Sequence, residues 1–237
     1  MSETRTGLVA AFTLAGISTL VPTVAAQSGT STTDGLIWGL NTELLAVAIP
    51  ITVLVEAILI YTVWRYRAGK VTEALPTQEN RRLEITWTVA TAVVLLFVGV
   101  ASMGVLAQDH VATTGDSIGA DDDTLEVQVV AEKYAWTFNY PEHNVTTGST
   151  LVLPVDREVR LNVTSKDWLH SFHVPGLGLK QDAFPEQANY LITEPTETGE
   201  HQLYCAEYCG AGHSGMLGTV EVVSQGEFQD WLDEQSD

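Results

Sequence analysis

Cys205 and Cys209 are the only cysteines among 237 residues, and they share one short run with a histidine and a methionine. The run reads Cys205-Ala206-Glu207-Tyr208-Cys209-Gly210-Ala211-Gly212-His213-Ser214-Gly215-Met216. Thiolate, imidazole and thioether form a soft donor set, which favours copper over magnesium, calcium or manganese. Structural zinc sites add two more Cys or His ligands to a Cys pair, and thioether is a poor zinc ligand. A distant histidine keeps zinc open by counting alone. A disulfide is the plain alternative for two cysteines in an exported domain. It leaves His213, Met216 and the glycines at 210, 212 and 215 unexplained. A mononuclear blue-copper site takes one cysteine, two histidines and an axial methionine, so this run has one thiolate too many. Two thiolates can bridge two coppers if another imidazole arrives from elsewhere in the chain.

The upstream candidates are His110, His143, His170, His173 and His201. His170 lies in the apolar stretch Trp168-Leu169-His170-Ser171-Phe172-His173, where an imidazole needs partners for its ring nitrogens.

The surrounding chain must place these residues. Residues 44–64 and 85–106 are almost wholly apolar and long enough to cross a bilayer. The loop between them, residues 65–82, holds Arg65, Arg67, Lys70, Arg81 and Arg82, five of the chain's 11 Lys+Arg. By the positive-inside rule that loop is cytoplasmic and both outer ends of the hairpin face outward. Residues 1–26 read as a signal peptide ending in Val24-Ala25-Ala26, with a third transmembrane helix as the alternative. Glu56 inside the first span is a costly ionisable group there, and marks a proton route or a contact with a partner helix. Residues 107–123 form a polar linker.

Residues 124–237 alternate in the manner of short strands, over 125–131, 134–140, 149–153, 158–163, 187–193, 201–204 and 216–223. The fold class is therefore a two-helix transmembrane hairpin followed by an all-β sandwich or barrel. Its two ligand-bearing segments are expected on loops at one end. Ser224 and Glu227 form a capping box for a final helix with Phe228, Trp231 and Leu232 on its apolar face. From residue 107 onward 23 Asp+Glu face five Lys+Arg, so this part carries −18 of the formal −19. Such a balance excludes nucleic acid as a partner. Acid spread over the whole surface, with few lysines, also looks like adaptation to high salt, where long-range steering is weak.

Leu169-His170-Ser171-Phe172, the segment Pro175-Gly176-Leu177-Gly178-Leu179-Lys180-Gln181-Asp182-Ala183-Phe184-Pro185, and the Cys205-to-Met216 run together resemble subunit II of haem-copper cytochrome c oxidases. The resemblance extends over both apolar spans, roughly residues 40 to 223. It implies a cupredoxin-like exported domain with a dinuclear copper A centre, in the cell membrane as a multi-pass protein. By resemblance the ligands are His170, Cys205, Cys209, His213, Met216 and the backbone carbonyl of Glu207, with His173 second to His170. The Glu207 carboxylate would reach a magnesium or manganese shared with subunit I, and Asp182 would stand near it. Glu84, in Glu84-Ile85-Thr86-Trp87-Thr88, would mark the cytoplasmic mouth of a proton channel. The family has a Trp-Tyr-Trp segment over the copper, its first Trp receiving electrons. Here Tyr134 takes that position and Trp136 matches the later Trp.

The implied function is subunit II of a respiratory cytochrome c oxidase. Electrons come from cytochrome c or a small blue-copper protein and pass to haem in subunit I, where oxygen reduction is coupled to proton pumping. The implied partners are subunit I, other oxidase subunits and the lipid bilayer. Quinol oxidase subunit II lacks these ligands, and nitrous oxide reductase adds a large second domain. A rival of another class is a membrane-anchored copper carrier or assembly protein working without an oxidase.

Overall fold

The computed structural model describes residues 29–70, 78–108 and 123–236. The expected signal peptide, His110 and most of the linker lie outside the described residues.

Two long helices come first, α1 (Thr32–Tyr66) and α2 (Arg81–Leu106). Each starts on a polar cap. The Ser31 hydroxyl accepts from the Asp34 N–H at 3.1 Å, and Asn80 Oδ1 accepts from the Leu83 N–H at 3.1 Å. α1 begins a dozen residues before the apolar span read from sequence. Its 35 residues extend ~52 Å at 1.5 Å per residue, well beyond a bilayer core. Ile58, Leu59, Ile60, Leu95 and Leu96 are all exposed, and apolar residues cover every face. Helices of this kind require lipid or partner helices. Both are long and apolar enough to cross a membrane.

Ten strands follow: β1 (Leu125–Glu132), β2 (Ala135–Tyr140), β3 (Val145–Gly148), β4 (Thr150–Pro154), β5 (Val159–Ser165), β6 (His170–Val174), β7 (Leu179–Ala183), β8 (Asn189–Thr193), β9 (Gly199–Cys205) and β10 (Leu217–Val223). They form two five-stranded sheets, ordered β3-β2-β1-β5-β8 and β4-β10-β9-β6-β7. Alternate residues point into the space between them. Leu125, Val127, Val129, Leu161, Val163 and Phe172 are fully buried there.

Tyr140 joins the sheets. From β2 its hydroxyl donates to the Val152 carbonyl at 2.8 Å and accepts from the Val152 N–H at 2.9 Å, on β4 in the other sheet. Burial pushes its phenol well above the usual tyrosine range, so it stays a donor. α3 (Gln225–Ser236) closes the core beside it, with Phe228 and Leu232 buried and the Trp231 ring 5.1 Å from that of Tyr140. The Ser224 hydroxyl and Glu227 carboxylate bond at 2.8 Å, and the carboxylate accepts from the Ser224 N–H at 3.0 Å.

The chain before α1 is stitched to the sandwich. Ser31, which is buried, donates its hydroxyl to the Leu177 carbonyl at 2.7 Å. The Thr32 N–H donates to Glu194 O and the Thr196 N–H to Thr30 O, both at 3.0 Å. Thr30 also bonds the Gly176 carbonyl. Hairpin and sandwich are thus joined independently of the covalent linker.

Tyr140→Phe tests the link between the sheets. It leaves the buried Val152 N–H and C=O without partners, so it should cost about 2–4 kcal/mol. A lower urea midpoint at unchanged slope is the expected result.

Candidate metal centre

β6, β9 and β10 set the frame of the site. In register, Phe172 faces Cys205, His173 faces Tyr204, and Leu217 faces Tyr204 from the other side. The Cys205 N–H donates to Met216 O at 3.1 Å and closes the base of the loop between β9 and β10. The Ala206 N–H donates to Ser171 O at 3.0 Å and ties that loop to β6.

Six donors gather within this frame. The Cys205 and Cys209 sulfurs are free and 3.9 Å apart, too far for the ~2 Å bond of a disulfide. On one side, Cys205 Sγ lies 3.8 Å from His170 Nδ1 and 3.2 Å from the Glu207 carbonyl oxygen. On the other, Cys209 Sγ lies 3.7 Å from His213 Nδ1 and 3.9 Å from Met216 Sδ. Each sulfur therefore has one imidazole nitrogen and one weak donor of its own. His170, Cys205 and Cys209 place their donor atoms within 4.8 Å of one another. A soft set in two halves around a shared sulfur pair fits two coppers. Zinc would want one tetrahedral set without thioether.

Burial sets the electrostatics. His170 and Met216 are fully buried, and both cysteines nearly so. Loss of solvent, then the adjacent Cys205, pushes the Cys209 thiol up to about 11. The metal-free pocket therefore holds protons that a metal must displace.

His170 Nε2 donates to Asp167 Oδ1 at 2.8 Å, which directs Nδ1 toward Cys205. Partial burial would raise the Asp167 carboxyl. The His170 contact and the N–H groups of Lys133 and Trp168 outweigh it and hold it at about 2. Asp167 was not among the residues singled out from sequence. An acid three positions before His170 was the available signal.

His170 was expected on a loop. It opens strand β6, and strand alternation sends His173 to the opposite face. There His173 packs on Tyr204, with ring centroids 4.8 Å apart, and burial followed by Lys180 lowers its pKa. Trp136 is buried edge-on to Phe172 at 5.7 Å and to His170 at 6.5 Å. Tyr134, partly exposed, covers the loop: a Cβ on Gly212 would stand 2.3 Å from its ring, and one on Gly210 2.7 Å from its hydroxyl. Gly210 also has φ +125, which favours glycine.

Asp182 pairs with Ser171 across β6–β7, and the Ser171 carbonyl binds Ala206 beside Glu207. Both acids are half-buried. Glu84 is exposed in the first turn of α2, at the hairpin end away from the strap at Ser31.

Gly212→Ala tests the seat of Tyr134. Overpacking should cost about 1–3 kcal/mol, and much less in a Tyr134→Ala background. Urea midpoints of the four metal-free proteins measure the coupling, and additive losses would refute the contact.

Residues 142–223 match the family model for the periplasmic domain of cytochrome c oxidase subunit II, and residues 19–105 match the model for its transmembrane domain. Cytochrome c oxidase subunit 2 of a Synechocystis species is 31% identical over 250 residues, covering 88% of this chain and 74% of that protein. The Thermostichus vulcanus protein of the same name is also 31% identical, covering 74% of this chain and 67% of its own. Among solved structures, the periplasmic domain of oxidase subunit II of Bradyrhizobium japonicum is 26% identical with a TM-score of 0.47, covering 50% of this chain and 96% of that one. With two relatives above 30% identity and family matches over both the helices and the sandwich, the chain belongs to the cytochrome c oxidase subunit II family.

Proposed function

We propose that His170, Cys205, Cys209, His213, Met216 and the Glu207 carbonyl hold a dinuclear copper A centre, and that this chain is the electron-accepting subunit of a respiratory oxidase. The observation that carries the reading is the gathering of these donors around two free sulfurs 3.9 Å apart. When bound, the copper pair takes up one electron at a time from an external donor and yields it to haem in subunit I. The chain's part is to hold the ligands still. Strand pairing fixes Cys205 and His170, Asp167 fixes the His170 ring, and Tyr134 covers the loop.

The hairpin lies in the cell membrane with the sandwich outside. Arg65, Arg67, Lys70, Arg81 and Arg82 at its far end support that orientation. Glu84, at this cytoplasmic end, receives protons bound for subunit I. Glu207 and Asp182 face a magnesium or manganese ion shared with subunit I, since carboxylate oxygens suit hard cations. The donor is a cytochrome c or a small blue-copper protein.

Metal analysis and EPR of the purified complex test this. The expected result is two coppers per chain and the mixed-valence hyperfine pattern of a copper pair, lost in Cys205→Ser and in Cys209→Ser. Fewer than two coppers, or a pattern that survives Cys209→Ser, would sink the bridging assignment. Uptake of copper by the metal-free protein near neutral pH should also release protons, because Cys209 is held up at about 11. A pH indicator reads that release, and Cys209→Ser should diminish it. Co-purification with a haem-containing subunit separates the oxidase reading from a free-standing copper carrier.

A further inference from the structure

An electron coming from outside must reach a ligand set that is almost wholly buried. Four aromatic residues stand around it. Trp136 is 1% exposed and cannot meet a partner. Tyr134 is 37% exposed, and its closest approach to the loop is to the backbone glycines at 210 and 212. Tyr208 is 76% exposed, with its ring 5.8 Å from that of His213 and tilted to it.

Trp168 combines exposure with a bonded route inward. It is 53% exposed. Its backbone N–H donates to Asp167 Oδ1 at 2.7 Å, the same oxygen that His170 Nε2 reaches at 2.8 Å. One carboxylate oxygen thus joins the main chain of Trp168, from which the indole projects, to a buried imidazole. The indole is also held in place. The Lys133 ammonium lies 3.3 Å from its ring centre, and the Lys133 N–H donates to the other oxygen of Asp167 at 3.0 Å. A cation over an indole face fixes the side chain. Lys166 adjoins on the same turn, paired to Glu132 at 2.9 Å. Two of the three lysines after residue 124 therefore flank Trp168, in a region otherwise dominated by acid. The place presents a large flat apolar group beside two cations.

We propose that Trp168 is the contact and electron bridge for the external donor, with Asp167 as the positioning residue that links it to His170. The inference rests on the copper reading above. The partner is a soluble one-electron metalloprotein that offers an apolar edge to Trp168 and an acidic rim to Lys133. The donor loses one electron and is oxidised, and the copper pair gains it. No bond forms or breaks, no proton moves, and Trp168 and Asp167 end as they began. The four-residue stretch from Asp167 to His170 thus serves the donor as well as the metal.

The test uses the whole oxidase complex and a purified soluble cytochrome c or blue-copper protein that reduces it. Trp168→Leu, Trp168→Phe, Lys133→Glu, Tyr134→Leu and Tyr208→Leu are compared by donor affinity, rate of reduction by the donor, copper content and EPR pattern. Trp168→Leu should keep its copper and its pattern while donor affinity and reduction rate fall about tenfold or more, the scale of a lost aromatic anchor. Trp168→Phe should recover part of the loss, and Lys133→Glu should weaken donor affinity. Wild-type affinity and rate in Trp168→Leu would overturn the proposal. So would a greater loss in Tyr134→Leu or Tyr208→Leu, or loss of copper from Trp168→Leu, which would mark a structural role. A wild-type complex without the copper-pair pattern would sink the copper reading instead, and donor affinity for that same complex still tests Trp168.

Discussion

The pairing of β9 with β10 is the constraint on which the site depends. It sets Cys205 opposite Met216 and closes the loop between them with a single backbone hydrogen bond at 3.1 Å. Everything inside the loop is then local geometry. Cys209 comes back to within 3.9 Å of Cys205 because Gly210 adopts a conformation that disfavours other residues and because Tyr134 occupies the space beside Gly212. The two thiols lie in a buried pocket. Desolvation raises Cys209, and the neighbouring sulfur raises it further. The fold therefore keeps Cys209 protonated, and a metal that binds there must displace that proton.

The same economy of strands explains why a sandwich suits electron transfer. Ligands on strand ends share the rigidity of the ladder. His170 and Cys205 both lie on the sheet β4-β10-β9-β6-β7, one strand apart. Phe172, between them in register, is fully buried and meets the edge of Trp136 from the opposite sheet. A change of charge at the ligands meets an apolar wall on one side and a hydrogen-bonded Asp167 on the other. Core packing holds the wall and hydrogen bonds from His170, Lys133 and Trp168 hold Asp167, so little of the structure reorganises.

Sequence patterns made much of this legible. Two apolar spans, a capping box at Ser224 and alternation in 125–131 and 216–223 all rest on local rules, and the structure has α1, α2, α3, β1 and β10 there. The donor types were also local, because five of the six donors fall within the single run from Cys205 to Met216. β3, β6 and β7 were missed. Their residues, such as Leu179-Lys-Gln-Asp-Ala183 and His170-Ser-Phe-His-Val174, are held by cross-strand pairing more than by their own alternation. The separation of His170 from His173 needed the strand first, since three positions along a strand reverse the face. Asp167 and the strap before α1 were harder to read for another reason. Their partners lie far away in the chain or depend on ring orientation, as with Ser31 and Leu177.

That strap also settles how membrane and metal are related. Gly178, at φ +65, follows the 3-10 turn Pro175–Leu177 that ends β6, and a Cβ there would stand 3.0 Å from the Asp34 backbone. The first turn of α1 therefore sits directly against the far end of the strand that begins with His170. Thr30, Ser31 and Thr32 bond the same region and the adjoining segment at 194–196. A covalent connection alone fixes neither distance nor orientation. With the helix start locked to the β6 turn, the distance from the membrane spans to the ligand end of β6 is set by one short strand. Electron transfer depends steeply on distance, so a subunit that must deliver electrons to a fixed acceptor needs such a junction more than it needs a strong linker.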